Sequence, residues 1–159
     1  MKLPEWIRKR FANWAWRVVS SRESDFDLIG DDGRPYLLRW YIIPPNPVLS
    51  VYVHCFAGPD FGRHLHDHRS GSLSLILEGR YIEKSGTPRM MRTRVGEIRE
   101  HRKGDIVYRP ARVAHMVAET YGAMTIFITG PTIRKWGFWV DGKWIYWRTY
   151  LKQQTTGPK

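Results

Sequence analysis

From Pro35 onward the chain is a series of short runs, each closed by glycine or proline, and this punctuation restricts its fold more than any other feature. Runs 36–43, 48–56, 70–77, 80–84, 90–95, 105–109, 113–118, 124–129, 136–140 and 144–150 are rich in β-branched and aromatic residues. Such residues suit a pleated, half-buried surface. Pro44, Pro45 and Pro47 part the first two runs, Gly79 parts 70–77 from 80–84, and Asp141-Gly142 between the last two is a strong hairpin signal. Many short strands with regular turns predict an all-β sandwich or barrel.

Ahead of these runs, Pro4 is followed by EWIRKRFANWAWRVVSS. Trp6, Ile7, Phe11, Trp14, Ala15, Val18 and Val19 recur at helical spacing, with Arg and Lys on the other faces. An amphipathic helix is predicted, its apolar stripe docked on the body of the domain. Segment 21–34 is acidic and turn-rich and reads as a loop. The expected organisation is a helix and acidic loop over 1–33 packed on a β-barrel over 34–152, with a frayed, flexible tail at 153–159.

At 159 residues the chain is long enough for one domain with its own core. A single cysteine, Cys55, excludes an internal disulfide framework and suits a reducing compartment. No apolar run reaches the roughly 18 residues that span a bilayer, so a cytoplasmic protein without a transmembrane segment is expected. The formal charge of +11 invites an anionic partner. It is scattered, however: the basic residues of 1–22 are followed by Glu23, Asp25, Asp27, Asp31 and Asp32. This argues for a generally basic exterior rather than a dedicated nucleic-acid surface. Exposed strand edges and abundant aromatic residues make a homodimer a further expectation.

Chemistry concentrates in His64-Leu65-His66-Asp67-His68 and in a distant His115. In an unbroken strand, side chains i, i+2 and i+4 share one face, so these imidazoles could surround one metal ion. Neutral imidazole suits Fe, Zn, Ni and Cu, and three protein ligands leave positions open for substrate.

The segments HDHRSGSLSLILEG, from His66 to Gly79, and GDIVYRPARVAH, from Gly104 to His115, together resemble the two signature motifs of the cupin superfamily. A finer resemblance, to a bacterial and phage group of cupins, rests on LHDHRSGSLSLILEGRYIE, RPARVAH and ITGPTIRKWGFWVDGKWIYWRTY. The resemblance implies a small jelly-roll barrel (the cupin double-stranded β-helix) carrying the N-terminal helix. It makes His66, His68 and His115 the metal ligands. The family's glutamate ligand falls at Ser72, so the site is expected to be a three-histidine one, with one divalent ion: Fe(II) first, then Zn, Ni or Mn. His64, Ser72 and Glu78 are candidates for the layer around the ligands.

His54 is expected to be a hydrogen-bonded strand histidine, and His101 a solvated one. Asp67 should point away from His66 and His68, as a structural or rim residue. Cys55 and His54, adjacent in a strand, face opposite ways and make no dyad. Tyr81, Glu83 and Arg112 are the catalytic candidates, with Glu78 as a further proton carrier. Arg69 and Arg80 are candidates to clamp an anionic substrate. The resemblance makes a dioxygenase acting on a small, anionic molecule the leading expectation. A Zn- or Ni-dependent isomerase or lyase is the second, and a non-catalytic module binding a small ligand or nucleic acid the third.

Overall fold

The structure, a computed structural model, describes residues 1–30, 33–60, 64–92 and 96–156, the side chains of 154–156 excepted. In chain order the elements are α1 (Glu5–Ser21), β1 (Phe26–Ile29), β2 (Pro35–Ile43), β3 (Ser50–Phe56), β4 (Leu65–His66), β5 (Ser72–Gly86) and α2 (Pro88–Arg92). There follow β6 (Glu97–Arg102), β7 (Ile106–Arg109), β8 (Ala114–Thr129), β9 (Gly137–Val140), β10 (Lys143–Tyr146) and α3 (Trp147–Thr156).

Two long strands organise the barrel. β5 and β8 pair antiparallel from Ser72↔Thr129 to Gly86↔Ala114. The beginning of β5 also pairs with β7, and its end with β6. The end of β8 also pairs with β3, and its beginning meets β4 at His66↔His115. One wall is therefore β1-β2-β3-β8-β5-β7 and the other β6-β5-β8-β4-β9-β10, with β5 and β8 passing through both.

The passage between walls is made by two glycines. Gly79 (φ +64) and Gly122 (φ +60) both adopt the left-handed backbone that disfavours side chains. A Cβ on Gly79 would lie 2.3 Å from the Gly122 carbonyl oxygen. Register shifts on both sides of Glu78 accommodate the bend. Runs 70–77 and 80–84 are thus one strand kinked at Gly79, and runs 113–118 and 124–129 one strand kinked at Gly122.

Strand alternation sorts the walls into an outer and an inner face. On the outer face Val53, Leu77, Met124 and Ile126 pack with Trp40 against Ala12 and Ala15 of α1. Cys55 joins this face, and burial pushes its thiol up to about 11. His54 points the other way, buried and stacked on Phe127 at 4.9 Å. On the inner face Ile76, Tyr81, Val117 and Ala123 form a second cluster with Phe56 and Val107.

Helix α1 docks differently from the sequence expectation. Only part of the predicted stripe meets the barrel: Ala15 is buried and Val18 and Val19 pack on the core, while Trp6, Phe11 and Trp14 stay exposed and Arg8 and Ala12, outside the stripe, are buried. Small alanines let the helix lie close, and Arg8 fixes it: its Nη1 donates to the Leu77 carbonyl and to Glu78 Oε1, and Glu5 holds Nε and Nη2.

Other expectations also change. The loop predicted at 21–34 contains β1, which pairs with β2. The strand predicted at 90–95 begins instead within α2, its last residues 93–95 lying outside the described ones. The Asp141-Gly142 hairpin forms between β9 and β10, but the second strand ends at Tyr146 and the chain turns into α3. This helix reaches Thr156, so residues 153–156 are helical where a frayed tail is expected. No helix among the described residues is long and apolar enough to cross a membrane.

A three-histidine cluster inside the barrel

His66 and His115 are direct cross-strand partners, and His68 reaches the same place by a turn. Strand β4 ends at His66 because the backbone then leaves the ladder: the Asp67 amide donates to Gly137 and the His68 amide to Ala111. The turn itself is fastened by Asp67, which is 1% exposed. Its Oδ1 accepts the Gly137 amide at 2.8 Å, and its Oδ2 accepts Trp144 Nε1 at 2.9 Å and pairs with Arg134 at 2.8 Å. Asp67 thus ties the histidine turn to the β9–β10 hairpin, in line with its expected structural role.

The structure brings His66, His68 and His115 together, with one donor nitrogen from each lying within 4.8 Å of the others. The Nε2 atoms of His68 and His115 face each other at 2.7 Å. Burial pulls all three imidazoles below the ordinary histidine value, His115 to about 3, so they are neutral at physiological pH. Neutral imidazole lone pairs converging on one point form a donor set suited to a divalent transition metal.

The far side of His115 is held by acid. Its Nδ1 lies 2.6 Å from Glu83 Oε1, at an angle that is not that of a well-aligned hydrogen bond. Arg109 reaches the same oxygen at 2.5 Å, and His101 Nε2 lies 2.9 Å from Oε2. Burial alone would raise the Glu83 carboxyl, but its contacts with His101 and His115 and the Arg109 charge hold it well below the usual carboxylate range. A carboxylate at Nδ1 presents Nε2 to the cluster, the arrangement that fixes the tautomer of metal-bound histidines. His101 is therefore a partner of Glu83, not the solvated residue expected from its charged neighbours.

The remaining candidates lie as follows. Tyr81 is buried on the inner face, stacked on Phe56 at 5.6 Å and raised by burial to about 12. Ser72 is buried with its hydroxyl unpartnered. His64 turns to α3, where its Nδ1 meets the Tyr150 hydroxyl at 2.9 Å. Glu78 faces α1 and pairs with Arg8 at 2.8 Å. Arg80 is exposed, paired with Glu100 and lying over Tyr121. Arg69 and Arg112 are exposed.

Sequence reasoning missed three charged residues. Arg109 stands immediately before the motif proline and reads as a strand end. Asp60, whose Oδ2 accepts the Val117 amide at 2.7 Å, is raised by burial and acts electrostatically on His66. Arg39, on the inner face of β2, donates from Nε to His54 Nε2 at 2.9 Å and lies over Tyr52 at 4.8 Å. No carboxylate among the described residues pairs with it. Only the alternation of β2 and β3 around Arg39↔His54 could have pointed to it.

No protein-family model and no curated protein matches the chain. Solved structures do. One is a candidate mannose-6-phosphate isomerase from Ralstonia eutropha JMP134, with a TM-score of 0.50 and 16% identity over 67% of this chain and 93% of that one. Another is HppE containing Fe(II) and substrate, with a TM-score of 0.51 and 14% identity over 69% of this chain; the match spans only 57% of HppE. At these identities the likeness is one of fold, the antiparallel cupin jelly roll.

Proposed function

We propose that the protein is a mononuclear metalloenzyme of dioxygenase type acting on a small anionic substrate, with His66, His68 and His115 as the metal ligands. The observation that carries this reading is the convergence of three neutral imidazoles, with a buried carboxylate behind one of them. The residues fit the ion: the donor nitrogens face inward, the position of the family's glutamate ligand is Ser72, and the unpartnered hydroxyls of Ser72 and Thr125 belong to the inner face. Fe(II) held there would supply one-electron chemistry towards dioxygen, whereas Zn would supply only Lewis-acid polarisation. A solved relative in fold, HppE, contains Fe(II).

The chain's own contribution is orientation and charge. Glu83 holds His115, and Arg109 and His101 hold Glu83. Arg39, with its Nη groups free of any carboxylate among the described residues, offers a guanidinium fork to an anionic substrate group, supported from below by Tyr52. Its placement on the inner face makes it a better clamp than the exposed Arg69, Arg80 or Arg112. Asp60, which acts on His66, is the group available to hold a proton beside the cluster, and Tyr81 lies one step further back, beside Arg109 and Glu83.

The test is turnover of a panel of small carboxylic acids and thiols by protein loaded anaerobically with Fe(II) or with Zn(II), each with and without dioxygen. Substrate loss that requires both Fe(II) and dioxygen supports the proposal. Turnover by the Zn(II) form without dioxygen replaces it with isomerase or lyase chemistry.

A further inference from the structure

We propose that the outward face of α1 is a peripheral docking surface for an anionic lipid bilayer. The helix has two unlike faces. Arg8, Ala12 and Ala15 are spent on the barrel. The opposite face carries Trp6, Arg10, Trp14 and Arg17, spaced four, four and three residues apart on one side of the helix, with Lys9 and Trp16 at its border.

Large aromatic side chains normally go inside, yet here Trp6 is 65%, Trp16 50%, Phe11 39% and Trp14 37% exposed. Neither Arg10 nor Arg17 pairs with an acid among the described residues. The helix's one acidic residue, Glu5, is occupied by Arg8. Indole rings settle at the boundary between water and hydrocarbon, and Lys and Arg beside them are drawn to anionic headgroups. A helix of 17 residues, held against the barrel by the Arg8 clamp, presents both together on its outward side.

The same charges argue against a second copy of the chain as occupant. A two-fold contact would set Arg10 and Arg17 of one copy against those of the other. Nothing in this face depends on the histidine cluster, so the proposal stands apart from the metalloenzyme reading.

The test is co-sedimentation of the full chain with vesicles of phosphatidylcholine alone and of phosphatidylcholine mixed with phosphatidylglycerol. The expected result is binding to the anionic vesicles at least about tenfold tighter than to the neutral ones, weakened by added salt. Trp6→Ser with Trp14→Ser, and separately Arg10→Gln with Arg17→Gln, should each reduce it. Lys84→Gln with Lys143→Gln, the same loss of charge elsewhere on the surface, should not. These side chains are exposed, and the circular dichroism spectrum of each variant checks that the fold is kept. No binding, equal binding to both vesicles, or binding unaffected by the α1 changes would overturn the proposal. So would a dimer, or a complex with single-stranded nucleic acid, that is lost in the same variants while lipid binding stays absent.

Discussion

Glu83 Oε1 and His115 Nδ1 lie 2.6 Å apart inside the barrel, and the same oxygen meets Arg109. The carboxylate thus serves two masters: it turns one imidazole towards the cluster and neutralises a guanidinium that is itself buried. Glu83→Gln keeps the shape and removes the charge. It is expected to weaken metal binding by about 10–100-fold, with a smaller loss of stability than Glu83→Ala because Gln still offers Arg109 an acceptor. Glu83→Ala strands Arg109 and should cost about 3–5 kcal/mol of stability. Equilibrium dialysis against a metal indicator and urea denaturation separate the two effects.

Acid should unfold the metal-free protein early. His54, His66, His68 and His115 are all held neutral by burial. Below about pH 6.5 the unfolded chain takes up protons at these positions, while the folded chain does so only at lower pH. Protons therefore favour the unfolded state, and stability falls as pH drops, by up to about 1.4 kcal/mol per pH unit for each buried imidazole. Glu83, whose folded value is lowered, adds to the loss at still lower pH. Thermal melts between about pH 8 and about pH 5 should be nearly level down to about pH 6.5 and then fall steeply, less so in His54→Asn. A flat profile would mean that these rings are not buried neutral.

Gly79 is the joint through which β5 changes walls. Gly79→Ala should destabilise the fold by more than the roughly 1–2 kcal/mol of a left-handed alanine, because its Cβ would also meet backbone at Gly122. Gly33→Ala, with positive φ and nothing within 4 Å of the added Cβ, is the matched control for the backbone term. Equal losses from the two changes would contradict the close approach.

Asp67 acts on the cluster at one remove, by fastening the turn between His66 and His68. Asp67→Asn keeps one acceptor for the Gly137 amide and loses the ion pair with Arg134. Its amide nitrogen would then face two donors, Trp144 Nε1 and Arg134, so it should lower both metal affinity and melting temperature, though less than Asp67→Ala. Asp67→Ala should lower both, since the Gly137 amide and Trp144 Nε1 lose their acceptor.

Much of this fold was legible because strand composition and turn chemistry are local. The Asp141-Gly142 hairpin forms where predicted, and His66, His68 and His115 meet in the structure. What was not legible is non-local. Gly79 and Gly122 each look like the end of a strand; only their contact across β5 and β8 shows them to be kinks within longer ones. His101 stands among Arg99, Glu100, Arg102 and Lys103 and reads as solvated, because the sequence does not say that β6 lies beside Glu83. The α1 stripe misleads in part for another reason: the small Ala12 and Ala15 and the Arg8 clamp let the helix lie close to the barrel on a side that leaves the bulky Trp6, Phe11 and Trp14 outside. Arg39 and Asp60 belong to no motif, and it is their partners in the fold, His54 for Arg39 and the Val117 amide for Asp60, that single them out.

The most direct measurement is metal content by inductively coupled plasma mass spectrometry. Wild-type protein and His115→Ala would be purified without a histidine tag or chelator, then reconstituted anaerobically with Fe(II) or Zn(II). If the three histidines hold the metal, about one ion per chain is expected in the wild type and almost none in His115→Ala. Equal loading of the two proteins, or no loading of either after reconstitution, would contradict it.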